Sequence, residues 1–318
     1  MTPETIIIEA QQLRKSYGAK LALECVTLDV KAGEVVGLLG PNGAGKTTTL
    51  SILATLMDPD AGTLRILGLD ARVQQAAIRR HLGFVPQSIA LYPTLSGAEN
   101  LQLFLRMHGL SPQAARDASA RALELVDLTS RAADPVATLS GGMQRRLNLA
   151  CGIAHHPEIL LLDEPSIGVD PQSRENILRA IRSLADAGAA VVYSTHYMEE
   201  VERLCDRVFL IDQGRVIASG TIAGVIAISG GRPRIDFTFA NDAPPGWFEG
   251  IDAIELASPR ASPGRVTLAL ASVDAVPELL ERSRHIAGGL QEFTIRSPNL
   301  SDAFMALTGH SLRNNEPN

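Results

Sequence analysis

The amino-acid sequence predicts an α/β fold: a sheet with a parallel core, a helical insertion at about 88–155, and a small α+β domain over 233–318. Three observations predict it. Short β-rich runs alternate with longer helical patterns through the first two hundred residues. The runs Ile159-Leu-Leu-Leu-Asp163 and Ala189-Ala-Val-Val-Tyr-Ser194 are apolar without alternation, as in strands covered on both faces. A breaker cluster, Ile228-Ser-Gly-Gly-Arg-Pro233, precedes a stretch with its own strand and helix patterns. It divides the chain into a main domain, 1–229, and the small C-terminal one.

Taken in order, residues 6–8, 21–30 and 34–39 read as strands, and a helix is expected over about 45–56. Strands follow at 63–67 and 83–85. Helical periodicity then marks 98–108, 112–126 and 141–155. The strand 159–163, a helix over 171–187, the strand 189–194 and a helix over 198–204 come next. Strands near 207–211 and 215–218 close the main domain. Beyond the breaker cluster, strands are expected at 234–239, 265–270 and 290–295, and helices near 276–285 and 299–308. The tail, 310–318, is expected to fray.

Composition bounds what such a chain does. Its 318 residues, 45% hydrophobic and 20% charged, suffice for a sizeable core without disulfides. No run reaches the roughly 18 apolar residues of a bilayer-spanning helix. Glu4 and Glu9 break the basic-then-apolar layout of a signal peptide. Cys25, Cys151 and Cys205 form no close pair and read as free thiols of the cytosol. The net charge of −6, without a long basic block, argues against nucleic acid as a partner. Only Lys15, Lys20, Lys31 and Lys46 among the 29 basic residues are lysines, and a compact ammonium does different work from a guanidinium fork.

Two segments carry chemistry. Gly40-Pro41-Asn42-Gly43-Ala44-Gly45-Lys46-Thr47-Thr48 satisfies GxxxxGK[ST] after an apolar strand and at a helix start. Glycines let the backbone wrap a phosphate, and the amides from Gly43 onward form an anion nest at the helix N-terminus. Lys46 then reaches the β- and γ-phosphates, and the Thr47 hydroxyl ligates Mg²⁺. The run ending in Asp163-Glu164 places two carboxylates at a strand's carboxyl end, where ligands of open sheets sit. Neighbouring side chains point to opposite sides, so one can hold Mg²⁺ and the other address an attacking water.

Leu139-Ser140-Gly141-Gly142-Met143-Gln144 resembles the LSGGQ signature of ATP-binding cassette (ABC) ATPases. Other motifs of that family stand in order. Tyr17 is similar to the aromatic that stacks on adenine, and Gln87 to the glutamine that senses Mg²⁺ and the membrane partner. Gly168-Val-Asp170 resembles the D-loop, and His196 the switch histidine. The resemblance covers about 5–225. GGMQ replaces the commoner GGQ, and Val169 replaces a Leu; neither departure removes a catalytic group. The closing run from Ile295 through Phe304 to His310 resembles that of the daunorubicin-resistance-type branch of bacterial exporters.

The resemblance implies a P-loop NTPase fold, with ATP and Mg²⁺ as ligands. It implies that Glu164 acts as general base or orients the lytic water, that Asp163, Thr47 and Gln87 serve the metal, and that Lys46 and His196 stabilise γ-phosphoryl charge. Ser140, Gly141, Gly142 and Gln144 would close over the nucleotide of a second copy, giving a homodimer. A separate transmembrane permease, gripped near Gln87, would hold the chain on the inner face of the membrane and export a drug or other amphipathic compound. An importer ATPase, or a non-transport ABC ATPase, is the alternative. Other features have plainer expectations. His155-His156 reads as a helix end rather than a metal site, His196-Tyr-Met-Glu-Glu as the start of an amphipathic helix, and Arg145-Arg146 as a solvated face.

Overall fold

The computed structural model describes residues 5–228, 232–244, 246–251, 254–256, 264–270, 273–286 and 289–308. Part of the breaker cluster and the tail from 309, with His310, lie outside them. Packing divides the chain into two units, the first ending at Ile222 and the second beginning at Ala223. Among the described residues no helix is long and apolar enough to cross a membrane.

The first unit opens with an antiparallel pair, β1 (Ile6–Tyr17) and β2 (Lys20–Lys31). After β3 (Val35–Leu39) and α1 (Lys46–Leu53), β4 (Ala61–Ile66) and β5 (Leu69–Asp70) extend that antiparallel edge. A short α2 (Gln75–Arg79) leads to β6 (Leu82–Val85). The insertion follows: α3 (Gly97–Met107), α4 (Pro112–Leu125) and α5 (Gly141–Ile153), packed against one another. Then come β7 (Ile159–Asp163), α6 (Pro171–Asp186), β8 (Ala190–Thr195), α7 (Met198–Leu204), β9 (Arg207–Asp212) and β10 (Arg215–Thr221).

All ten strands form one sheet, ordered β5-β4-β1-β2-β10-β9-β3-β8-β7-β6. From β9 to β6 neighbours run parallel. Every residue of β3, β7 and β8 is buried, which explains their unbroken apolar sequence. Fully buried Leu38, Leu50, Ile52 and Leu53 join β3 to α1, each contributing about 1.5–3 kcal/mol by burial.

Short polar signals set the helix starts. Ser96 and Glu99 close a capping box on α3. Ser111, Ser140 and Asp170 accept backbone N–H groups at the starts of α4, α5 and α6.

In the second unit α8 (Ile222–Ile228), whose first residue still belongs to the first unit, precedes a four-stranded antiparallel sheet. Its strands are β11 (Arg234–Phe239), β12 (Ile254–Leu256), β13 (Arg265–Leu270) and β14 (Leu290–Arg296), ordered β12-β13-β11-β14. α9 (Val276–Arg284) buries Leu279 in the same core as Ile235, Phe237 and Phe239, and Trp247 meets both phenylalanines edge-on. α10 (Leu300–Thr308) follows.

Several bounds differ from expectation. β1 runs nine residues past the expected end, because a bulge at Gln12 (φ +51), held by its N–H donating to Thr27 Oγ1 at 3.0 Å, breaks the alternation. α1 stops at Leu53 as Thr55 turns left-handed, clamped by Arg79 Nε on its hydroxyl at 2.9 Å. α5 stops at Ile153, so His155 and His156 lie beyond it.

Candidate nucleotide-binding site

The carboxyl end of β3 opens into the loop 40–45. A Cβ on Gly40 would lie 2.1 Å from the Ile211 carbonyl, so only glycine lets β9 approach there. Gly45, at φ +110, turns the chain into α1, and a Cβ there would lie 2.6 Å from Leu23. Ala44 is buried and accepts from Gly214 N through its carbonyl at 2.9 Å; it holds the loop from behind.

Lys46 is 5% exposed. Its ammonium donates to the carbonyls of Gly40 (2.8 Å) and Pro41 (3.1 Å) and lies 3.4 Å from Glu164 Oε1. Burial pulls its pKa down, and the charge of Glu164 opposes that shift.

Glu164 is the centre of the arrangement. It follows β7 in a left-handed conformation (φ +47), a strained state for a residue with a side chain. Its N–H donates to the Ser194 carbonyl at 3.1 Å. Gln87 Nε2 donates to its Oε2 at 3.4 Å, and His196 Nδ1 stands 3.3 Å from the same oxygen without hydrogen-bond alignment. The preceding Asp163, 1% exposed, accepts from Ser194 Oγ at 2.6 Å.

One cavity of about 350 Å³ is lined by Tyr17, Asn42, Gly43, Gly45, Lys46, Thr47, Thr48, Gln87 and Glu164. A glycine-rich loop, a helix start, a cation and a carboxylate thus face one space, as polyphosphate binding and hydrolysis require. Thr47, Gln87 and Asp163 offer oxygen donors suited to a hard cation. Among the described residues no cluster of three or more His, Cys, Asp or Glu forms an all-protein metal cage. Mg²⁺ fits this donor set because it takes few protein ligands and completes its shell with phosphate and water. A larger cavity, about 640 Å³, opens at the amino-terminal ends of β3, β7 and β8, away from this chemistry.

The structure does not bring Ser140, Gly141, Gly142, Gln144 or Asp170 to the cavity. Ser140 Oγ accepts from Met143 N, Asp170 from Ser173 N, and Gln144 Nε2 donates to the carbonyls of Val136 and Leu139. Gly141 is exposed, whereas a Cβ on Gly142 would press on Ser173 and Asp170.

The structure corrects one expectation and adds three residues. Arg145 and Arg146 are not a solvated face. Arg145 donates to the Gln87 carbonyl, and Arg146, 9% exposed, donates to Val126 O (2.9 Å) and Asp127 O (3.1 Å) past the end of α4. Lys20, Ala22 and Ile167, which belong to none of the motifs, also line the cavity; the pairing of Lys20 with Tyr17 across the β1–β2 turn was the available signal.

Comparison with known proteins decides the family. The family described as ABC transporter matches residues 23–167. The linearmycin resistance ATP-binding protein LnrL of Bacillus subtilis is 38% identical, over 96% of this chain and 100% of that protein. This chain belongs to the ABC transporter ATP-binding family. As an ABC ATPase it is also similar to the doxorubicin resistance ATP-binding protein DrrA of Mycobacterium tuberculosis (37% identity, 97% of this chain, 95% of that one). A Nod factor export ATP-binding protein of Burkholderia orbicola is 39% identical (96% and 98%). Among solved structures, an ATP-binding subunit of an ABC transporter aligns with TM-score 0.65 and 32% identity, over 70% of this chain and 93% of that chain. A dimeric cassette in a post-hydrolysis state with ADP and Pi aligns with TM-score 0.64 and 29% identity, over 68% and 98%.

Proposed function

We propose that this ABC ATPase powers export of an amphipathic compound through a separate membrane permease. The relatives named for drug resistance and Nod factor export support that direction over import. The single observation that carries the mechanism is the convergence of Lys46, Gln87 and His196 on the Glu164 carboxylate.

ATP binds with adenine on Tyr17 and its phosphates along the loop from Gly40 to Thr48. Thr47, Asp163 and Gln87 hold Mg²⁺, which supplies neutralisation of phosphate charge when bound. Glu164 accepts a hydrogen bond from a water and orients it toward the γ-phosphorus. The bond from the γ-phosphorus to the bridging oxygen of the β-phosphate breaks as the water oxygen bonds, and ADP leaves with that electron pair. The water proton passes to the Glu164 carboxylate, and Lys46 and His196 stabilise the charge gathering on the γ-oxygens.

One chain carries one phosphate loop and one GGMQ segment, so two copies enclose two nucleotides. Ser140, Gly141, Gly142 and Gln144 of one copy meet the nucleotide of the other, next to Asp170. ATP does work on the permease to the extent that it binds the closed pair better than the open one. The permease docks beside Gln87 and holds the chain at the cytoplasmic face of the membrane. Residues 1–229 form the cassette and 233–318 an accessory domain.

Replacing Glu164 with Gln keeps its size and removes the carboxylate. ATPase activity should fall about 10²-fold or more, with ATP affinity retained. Near-normal turnover in that variant would overturn the assignment.

A further inference from the structure

Glu200 lies in the first turn of α7, 3% exposed, where an isolated carboxylate would be costly. Its oxygens are fully engaged. Oε1 accepts from Ser166 Oγ at 2.7 Å and lies 3.3 Å from Arg174 Nε. Oε2 accepts from Tyr193 OH at 2.8 Å and from Thr195 Oγ1 at 3.0 Å. Tyr193 has one hydroxyl hydrogen, and the shorter contact to the carboxylate claims it over Ser166 at 3.2 Å.

The three hydroxyl partners belong to the two segments that carry the hydrolytic groups. Ser166 stands two residues after Glu164, in the turn whose strained geometry aims that carboxylate. Thr195 precedes His196, and its hydroxyl, while donating to Glu200, accepts from Tyr197 N at 3.0 Å. That pins both sides of the histidine. Arg174 extends the grip: its guanidinium lies 5.2 Å from the centre of the Tyr197 ring, and that ring packs on His196 at 4.2 Å. None of its partners, Ser166, Arg174, Tyr193 and Thr195, lines the cavity.

We infer that Glu200 is a positioning residue that holds the Glu164 turn and the His196 turn in mutual register for hydrolysis. The inference rests on the roles proposed above for Glu164 and His196. A carboxylate suits the place because hydroxyl donors and a cation surround it. An amide would turn an NH₂ toward groups that are already donating.

Misplacement of reacting groups by about 1 Å can lower a rate about 10²-fold. Glu200→Gln in the full-length chain should therefore lower kcat by about 10- to 100-fold with the KM for ATP nearly unchanged. A pair of variants at Thr195 separates linkage from packing and carries the test if Glu200→Gln does not fold. Thr195→Val keeps the shape and loses the hydroxyl; Thr195→Ser does the reverse. Under the inference Val lowers kcat as Glu200→Gln does, and Ser stays near wild type. A Val variant as fast as wild type, a Ser variant as slow as Val, or a loss expressed in KM would each overturn it. Glu164→Gln run in parallel distinguishes the two readings: full activity there overturns the site and the inference that rests on it, whereas a loss there beside a wild-type rate in Glu200→Gln and Thr195→Val overturns the role of Glu200 alone.

Discussion

Lys46 and Glu164 illustrate how a buried site keeps two charges. Each is about 5–7% exposed, and each makes the other's burial tolerable at 3.4 Å. Exposed residues at the cavity mouth follow different rules. Tyr17, 48% exposed, offers a ring whose hydroxyl donates to Met57 Sδ at 3.1 Å, and Lys20 lies across the turn from it. Base stacking on an aromatic contributes about 1–3 kcal/mol, whereas an exposed cation in solvent contributes about 1 kcal/mol or less. Tyr17→Ala should therefore raise the KM for ATP about 5- to 100-fold, at any salt concentration. Lys20→Ala should raise it by no more than about fivefold, an effect that vanishes in high salt. Titrating nucleotide affinity against ionic strength checks both, and a salt-sensitive loss at Tyr17 would contradict stacking. The residues facing phosphate were legible in the sequence because backbone geometry ties their spacing to one ligand. Arg145 and Glu200 were not, since Arg145 acts on Gln87 and Glu200 on Ser166, both distant in sequence, through side chains that are usually solvated.

At the scale of elements, α5 and its flanks connect the insertion to the sheet. Arg145 and Asn148 hold the segment after β6, through the Gln87 carbonyl and the Ala90 N–H, while Arg146 reaches the end of α4. Past α5, His155 stacks on His108 at 4.0 Å, with its Nε2 3.2 Å from the Leu82 carbonyl. Burial first, and the neighbouring His108 next, lower the His155 pKa to about 4. The folded chain thus resists protonation there while the unfolded chain accepts it near pH 6.5. Stability from neutral His155 is complete above about pH 6.5 and lost as pH falls toward 4, by at most about 3 kcal/mol. Thermal unfolding should show a drop in Tm across that window. His155→Gln should flatten this part of the profile, and an unchanged slope would mean that another group titrates. Strands β3, β7 and β8 were legible because burial on both faces writes an unbroken apolar run. The length of β1 and the end of α1 were not, because Gln12 and Thr55 take left-handed turns that tertiary contacts, rather than glycine, enforce.

At the scale of the whole molecule, the question is whether each hydrolytic site draws on two copies. The GGMQ segment, exposed at Gly141, lines no part of its own chain's cavity, which motivates the proposal. The choice of variants follows from local packing. Gly142 is unsuitable, because a Cβ there would meet Ser173 Oγ at 2.8 Å and Asp170 Oδ2 at 2.9 Å, disturbing α5 and α6 within the chain. Gly141 has nothing within 4 Å of a built Cβ, so Gly141→Asp leaves the fold intact and adds bulk and negative charge only to what approaches from outside. Lys46→Ala removes the ammonium from the chain's own phosphate loop. Each homodimer is then inactive at both sites. In a mixed dimer the intact Lys46 comes from the Gly141→Asp chain and the intact signature from the Lys46→Ala chain, so one complete site is rebuilt. Random pairing makes half the dimers mixed, and ATPase activity should recover to about a quarter of wild type if sites fire independently. Sites built within single chains would recover nothing. A mixture as inactive as either variant alone, with mixed dimers demonstrated by differential tagging, would reject independent sites shared between copies.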